Sequence, residues 1–153
     1  MTQAAAEVWF YHLERSSLEQ VLPELLEKTL ARGWRGLVRV RDEDRLAALD
    51  DWLWSWRDDS FLAHGRDSEP DAGRQPVLLT RGSENRNGAQ ALFIVDGAEL
   101  GPLDGYERCL VLFDGRDDAA LAQARERWRE VTKAGVKAAY WRQNETGRWE
   151  KQA

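Results

Sequence analysis

Apolar runs of strand length alternate along this chain with amphipathic stretches of helical period, and that alternation leaves few folds open to it. Val8 to Leu13 is a continuous apolar and aromatic run, which predicts a buried first strand. Ser16 or Ser17 follows as a helix cap, with Glu19 or Gln20 placed to complete a capping box. Leu18, Val21, Leu22, Leu25, Leu26, Thr29 and Leu30 recur at the helical period, and Gly33 ends the helix. Pro23 removes a backbone donor early in that helix, so a kink or a late start is expected there. Gly36 to Val40 predicts a second strand and Asp42 a cap, after which Leu46, Leu49, Leu53 and Trp54 mark a second helix. Asp58 to Asp71 is turn-rich and polar around Phe61-Leu62, so a loop is expected. Gln75–Thr80, Ala91–Val95 and Arg108–Phe113 are further strand-length runs, and Asn87-Gly88 is a turn signal. Asp117 caps a third helix running to about Lys133, closed by Gly135; Ala138–Arg142 is a last strand, and the tail holds Gly147 and Trp149. The prediction is one α/β domain over residues 1–153: a mostly parallel, twisted, Rossmann-like sheet with helices on both faces.

Such a sheet invites a nucleotide, but the chain carries no nucleotide-binding motif. The first strand-to-helix turn, His12-Leu13-Glu14-Arg15-Ser16-Ser17, has no glycine through which backbone amides could approach a pyrophosphate. No Walker-type segment occurs either. Carboxylates do follow the predicted strands, at Asp42, Asp44, Asp96, Asp114, Asp117 and Asp118. One reading makes Asp42, Asp44 and Asp114 a Mg²⁺ site for phosphoryl transfer. The other takes Asp42 and Asp117 as helix caps and Asp96-Gly97 and Asp114-Gly115 as strand-ending turns, which accounts for each residue singly. His12 and His64 lack any metal-ligand spacing and are expected to be ordinary hydrogen-bonded histidines. Cys109 is the only cysteine; no intramolecular disulfide or thiolate metal site can form, and its apolar strand predicts an inert core thiol. No metal or cofactor is expected. The start, Met1 to Glu7, lacks a signal-peptide pattern, and no apolar run approaches ~18 residues, so a cytoplasmic protein is expected.

The net charge of −5 is the reverse of what wrapping duplex DNA favours. Attraction for an acidic partner must therefore come from a local patch. Eight tryptophans exceed what one core of this size readily hides, which places some at contact surfaces. Trp52, Trp54 and Trp56 stand at alternate positions, about 200° apart on a helix, and cannot share one face. At least one ring is expected at the surface, as a partner contact; the other reading has the rings plug the end of the core. On the third helix Ala120, Ala124, Val131 and Ala134 share an apolar face, with Arg127 as an exception near its middle. Beside it lie Leu121, Trp128 and Thr132, with Arg125 and Arg129 one turn apart. Guanidinium groups against an aromatic wall suit a carboxylate-bearing peptide that ends in a hydrophobic residue; a solvated face laced with Arg–Glu pairs is the plainer alternative.

The chain as a whole resembles the chi subunit family of DNA polymerase III. The residues carrying the resemblance are Trp9-Phe10-Tyr11, Leu49-Asp50 through Trp54 to Asp59-Ser60-Phe61, Gln75-Pro76-Val77 and Asp96-Gly97-Ala98. The set continues with Leu112-Phe113-Asp114-Gly115, Ala124-Arg125-Glu126-Arg127-Trp128, Ala134-Gly135 and Tyr140-Trp141. What the resemblance implies is a non-catalytic clamp-loader subunit of the holoenzyme. It would bind the acidic, phenylalanine-ended C-terminal tail of single-stranded-DNA-binding protein, and contact DNA mainly indirectly. The implied tail contacts are Arg125, Trp128 and Arg129. Relatives often carry tyrosine and lysine at the last two positions, a change that keeps ring and charge. The resemblance also implies a surface for the psi subunit or an equivalent, shared in the family with a repair helicase, at Trp54 and Phe61. Trp52 and Trp56 are neighbours that depart from the family pattern.

Overall fold

The computed structural model describes residues 6–56 and 62–153. Among the described residues eight strands form one sheet: β1 (Glu7–Leu13), β2 (Gly36–Arg39), β3 (Gly65–Arg66), β4 (Val77–Thr80), β5 (Ala91–Ile94), β6 (Arg108–Asp114), β7 (Ala138–Gln143) and β8 (Trp149–Lys151). Their order is β3-β4-β2-β5-β6-β1-β7-β8. Every neighbouring pair is parallel except β7 and β8, which run antiparallel. Three α-helices cover the sheet: α1 (Leu18–Ala31), α2 (Glu43–Ser55) and α3 (Asp118–Lys133).

Handedness decides which helix goes where. The link from β1 to β2 and the link from β6 to β7 run in opposite directions across the sheet. Right-handed crossovers therefore put α1 and α3 on opposite faces. Two cores result. Leu22 and Leu26 of α1, and Leu46, Leu49 and Leu53 of α2, pack with Tyr11, Val38 and Phe93 on one face. Ala124 and Val131 of α3 pack with Phe10, Leu92 and Val111 on the other. Central strands buried on both faces explain why β2, β4 and β5 are unbroken runs of buried residues.

The capping box settles on Ser17 and Gln20, each satisfying the other's backbone amide. Helix α1 starts at Leu18 and continues through Pro23 to Ala31, so the late start expected from Pro23 does not occur. The reason lies on another helix. Pro23 has no amide to give the Glu19 carbonyl, and the Trp52 indole Nε1 of α2 donates to that oxygen instead, at 2.6 Å.

Two segments read as irregular contain strand. The stretch expected to be a loop includes β3, which pairs through Gly65 and Arg66 with Leu78 and Leu79. The tail turns at Asn144–Gly147 and returns as β8 along β7. Both are two- or three-residue edge pieces, too short to show a strand's alternation in the sequence. Arg39, inside β2, is buried. Its guanidinium donates to the carbonyls of Gly82, Ser83, Glu99 and Leu100, tying two loops to the sheet edge.

Candidate functional site

Helix α3 is the element that gathers the predicted tail-binding residues. The Asp117 carboxylate caps it, accepting from the amides of Ala119 and Ala120, and Gly135 closes it in the left-handed region at φ 79°. Ala124 and Val131 are buried against the sheet, while Ala134 is the exposed C-cap residue and not part of the packed face. Arg127 is accounted for: half-buried, it reaches past the helix to donate to the Ala98 carbonyl, and burial lowers its pKa. It stitches α3 to the loop after β5.

Trp128 is half-buried, its ring 5.5 Å from Phe10 and 5.9 Å from Tyr140, edge-on to both. Tyr140, on β7, is therefore a second aromatic wall that the reading from α3 alone missed. Strand alternation was the available signal: Trp141 points to the α1 face, so Tyr140 must point to the α3 face. The Tyr140 hydroxyl lies 2.6 Å from Nδ1 of the buried His12. Burial raises the Tyr140 pKa, against the opposing charges of Arg142 and Arg125. Arg142 in turn makes a two-pronged contact with Glu14, at 2.7 and 3.0 Å.

The two tail arginines are not equivalent. Arg125 is exposed and enters no ion pair with a described residue, and its charge is felt by both His12 and Tyr140. Arg129 donates to Glu126 at 3.1 Å, with the two side chains 73% and 61% exposed. At 100° per residue Glu126 lies about 60° to one side of Arg129, and Trp128 about 100° to the other. The guanidinium of Arg129 thus leans away from the indole, whereas Arg125 stands about 60° from it on the aromatic side.

The tryptophan-rich segment divides as well. Trp52 is half-buried and spent on the Glu19 carbonyl, and it packs on the core beneath α1 and α2. Trp54 is 53% exposed, its ring 4.2 Å from that of buried His64. His64 bridges the Leu62 carbonyl and the Asp50 carboxylate at 2.7 and 2.9 Å, and Asp50 also accepts from Arg66. Trp56 is half-buried at the C-cap of α2. Phe61 lies outside the described residues.

A cleft of about 560 Å³ opens at the C-terminal ends of β1, β5 and β6, where nucleotides sit in doubly wound sheets. Its carboxylates are engaged locally. Asp96 holds Arg45 at 2.8 Å, Asp114 accepts from the Arg116 amide and side chain, and Asp42 caps α2 through the Arg45 amide. Asp44 is an exposed first-turn residue of α2. Among the described residues no three His, Cys, Asp or Glu side chains converge as a metal site. Cys109 is buried, and burial pushes its thiol up to about 12, which leaves it protonated and unreactive at neutral pH. No helix is long and apolar enough to cross a membrane among the described residues.

The described residues thus form an α/β sheet domain with a capped basic–aromatic helix face, and its strand-end carboxylates sit in caps, turns and ion pairs. Residues 5–139 match the family described as "DNA polymerase III chi subunit, HolC", and the chain belongs to that family. A relative from Rickettsia prowazekii (strain Madrid E), named "Probable DNA polymerase III subunit chi", is 23% identical over 90 residues. That alignment takes in 59% of this chain and 54% of the relative, so the chain spans about half the length of the curated protein it matches.

Proposed function

We propose that this chain is a non-catalytic, clamp-loader-associated subunit of the DNA polymerase III holoenzyme that captures the acidic C-terminal tail of single-stranded-DNA-binding protein on α3. The observation that carries the reading is the exposed Arg125 guanidinium, without an ion pair among the described residues, beside the half-buried edge of Trp128 and the ring of Tyr140. On a molecule of net charge −5 such a cation is a local attractor, and the two rings give a terminal phenyl group something to pack on. Arg125 makes the primary carboxylate contact. Arg129 joins after leaving Glu126, which costs about 0.2–0.5 kcal/mol for an exposed pair one turn apart.

Short-peptide capture of this kind gives micromolar affinity, about −8 kcal/mol, weakened by salt because exposed charges are screened within ~10 Å at 0.1 M. Several tails on one oligomeric partner raise the avidity through effective concentration. Trp54 is the described ring best placed for a second protein: the psi subunit or its equivalent, or a repair helicase. Asp42 and Asp114 are already bound to backbone amides, which weighs against the Mg²⁺-dependent phosphoryl-transfer reading.

Isothermal calorimetry with the tail peptide tests the site. Arg125→Ala weakens binding about tenfold and Arg129→Ala about threefold, in line with one dedicated and one shared charge-assisted contact. Glu126→Gln frees Arg129, removes a repelling charge and tightens binding about twofold. Wild-type affinity in both arginine variants would refute the assignment.

A further inference from the structure

A second basic–aromatic surface lies on the opposite face of the sheet, beyond the end of α1, and nothing in the tail-binding reading uses it. It is built as a ladder of rings and cations. The Arg32 guanidinium lies 4.1 Å from the Trp34 ring, and that of Arg108 lies 5.4 Å from Trp34 and 3.8 Å from Trp9. Trp9 is 5.3 Å from Trp141, and Tyr11 is stacked within 13° of Trp141 and meets Trp149 edge-on at 5.0 Å. The four indoles are all half-buried: their inner sides seal the margin of the α1 core, and their outer sides line a groove of about 320 Å³. Lys28, one turn before Arg32 on α1, lines the same groove.

Charge and hydrogen bonding narrow what fits there. Among the described residues Lys28, Arg32 and Arg108 make no salt bridge; Glu7, the carboxylate whose charge acts on Arg108, is held by Lys137 at 3.0 Å and by the Trp9 indole at 3.2 Å. Burial first, and then the charge of Arg32, lower the pKa of Arg108, with Glu7 and Tyr11 opposing; among the described residues neither guanidinium is held in a salt bridge. Its floor offers side chains only. The amides of β1 are spent on β6 and β7, and those of β7 on β1 and β8, so a peptide main chain laid over β1 or β7 would find no ladder to join; only β8, at the sheet edge, keeps an open side. Base stacking on indoles needs no such partner, and phosphates would supply the missing negative charge.

We infer that the groove framed by Trp9, Trp34, Trp141, Arg32, Arg108 and Lys28 binds single-stranded nucleic acid, with bases against the indoles and phosphates on the three cations. The site is independent of the tail-binding surface: the two lie on opposite faces of the sheet, and neither assignment needs the other.

The test is fluorescence anisotropy of a labelled oligothymidylate of about 15 nucleotides, within the range of single-strand site sizes. The full chain is titrated at low salt, with quenching of tryptophan emission followed in parallel. The expected Kd is roughly 10⁻⁴–10⁻⁵ M, with log K falling against log salt at a slope of about −1.4 to −2.1, the value for two or three phosphate contacts. Lys28→Ala and Arg32→Ala together replace two surface cations without touching the core; the pair weakens binding at least tenfold and flattens the salt slope, while Arg125→Ala leaves oligonucleotide binding unchanged. The inference is overturned if the oligonucleotide shows no binding at ~1 mM protein and low salt. It is equally overturned if the Lys28/Arg32 variant, folded by circular dichroism, binds within twofold of wild type. A third refuting outcome is that an acidic peptide ending in phenylalanine is lost with Lys28/Arg32 and kept with Arg125→Ala, since the groove would then be a peptide site. Failure of both Arg125→Ala and Arg129→Ala to affect the tail peptide would sink the α3 assignment and leave the oligonucleotide result untouched.

Discussion

Replacing Trp52 with phenylalanine isolates a single hydrogen bond whose worth can be worked out from its surroundings. A helical carbonyl accepts from the amide four residues on, and for Glu19 that residue is Pro23, which has none. The Trp52 indole fills the gap at 2.6 Å. Removing the donor leaves a carbonyl between two helices without its partner, which costs about 1–3 kcal/mol when buried. Glu19 is half-buried, so water recovers part of this and about 1–2 kcal/mol is expected. The smaller ring also loses packing, but a double-mutant cycle removes that term. In a Pro23→Ala background the alanine amide can donate to Glu19, so Trp52→Phe should cost about 1 kcal/mol less there than in the wild type. Urea unfolding followed by far-UV circular dichroism measures both differences, and the remaining indoles do not confuse that signal. If Trp52→Phe costs the same in both backgrounds to within about 0.3 kcal/mol, the indole is not standing in for the missing amide. The continuity of α1 through Pro23 would then need another cause.

Two further outcomes follow from the His12 cluster beside the tail site. A Cβ on Gly115 would sit 2.0 Å from His12 Nε2, and the ring cannot retreat because Tyr140 and Phe113 hold it. Gly115→Ala should therefore lower stability by about 2–3 kcal/mol, read as a reduced urea midpoint; an unchanged midpoint would show that the ring has room. Burial first, and then the charge of Arg142, depress the His12 pKa, with Arg125 adding to this and Glu14 and Asp114 opposing it. With the folded-state value below the unfolded ~6.5, the unfolded chain binds the extra proton first. The contribution is thus fully present above about pH 6.5 and is lost as pH falls from there through the depressed folded-state value. Stability should drop between pH 7 and 5, and His12→Gln should flatten that slope; an equal slope in the variant would exonerate His12.

The sequence by itself determined the layer architecture, the strand-to-helix alternation, the caps at Asp42 and Asp117, a cap at one of Ser16 and Ser17, and the closing glycines. Each of these is fixed by local periodicity or by a turn that one residue type satisfies. It also set out α3 as a face with Arg125 and Arg129 a turn apart, because helical geometry alone places them there. Only the tertiary structure decided how these groups are used. Arg127 is tied to a loop after β5, Arg129 is shared with Glu126, and Trp128 gains a neighbour from β7, 12 residues further along the chain. Trp52 was separated from Trp54 by a carbonyl that a proline on another helix left open. The ladder from Arg32 to Trp149 draws on one helix end, one loop and four strands, and no window of sequence could display it. Hydrogen-bond satisfaction and ring packing are settled between elements distant in the chain, whereas propensity and period act within one.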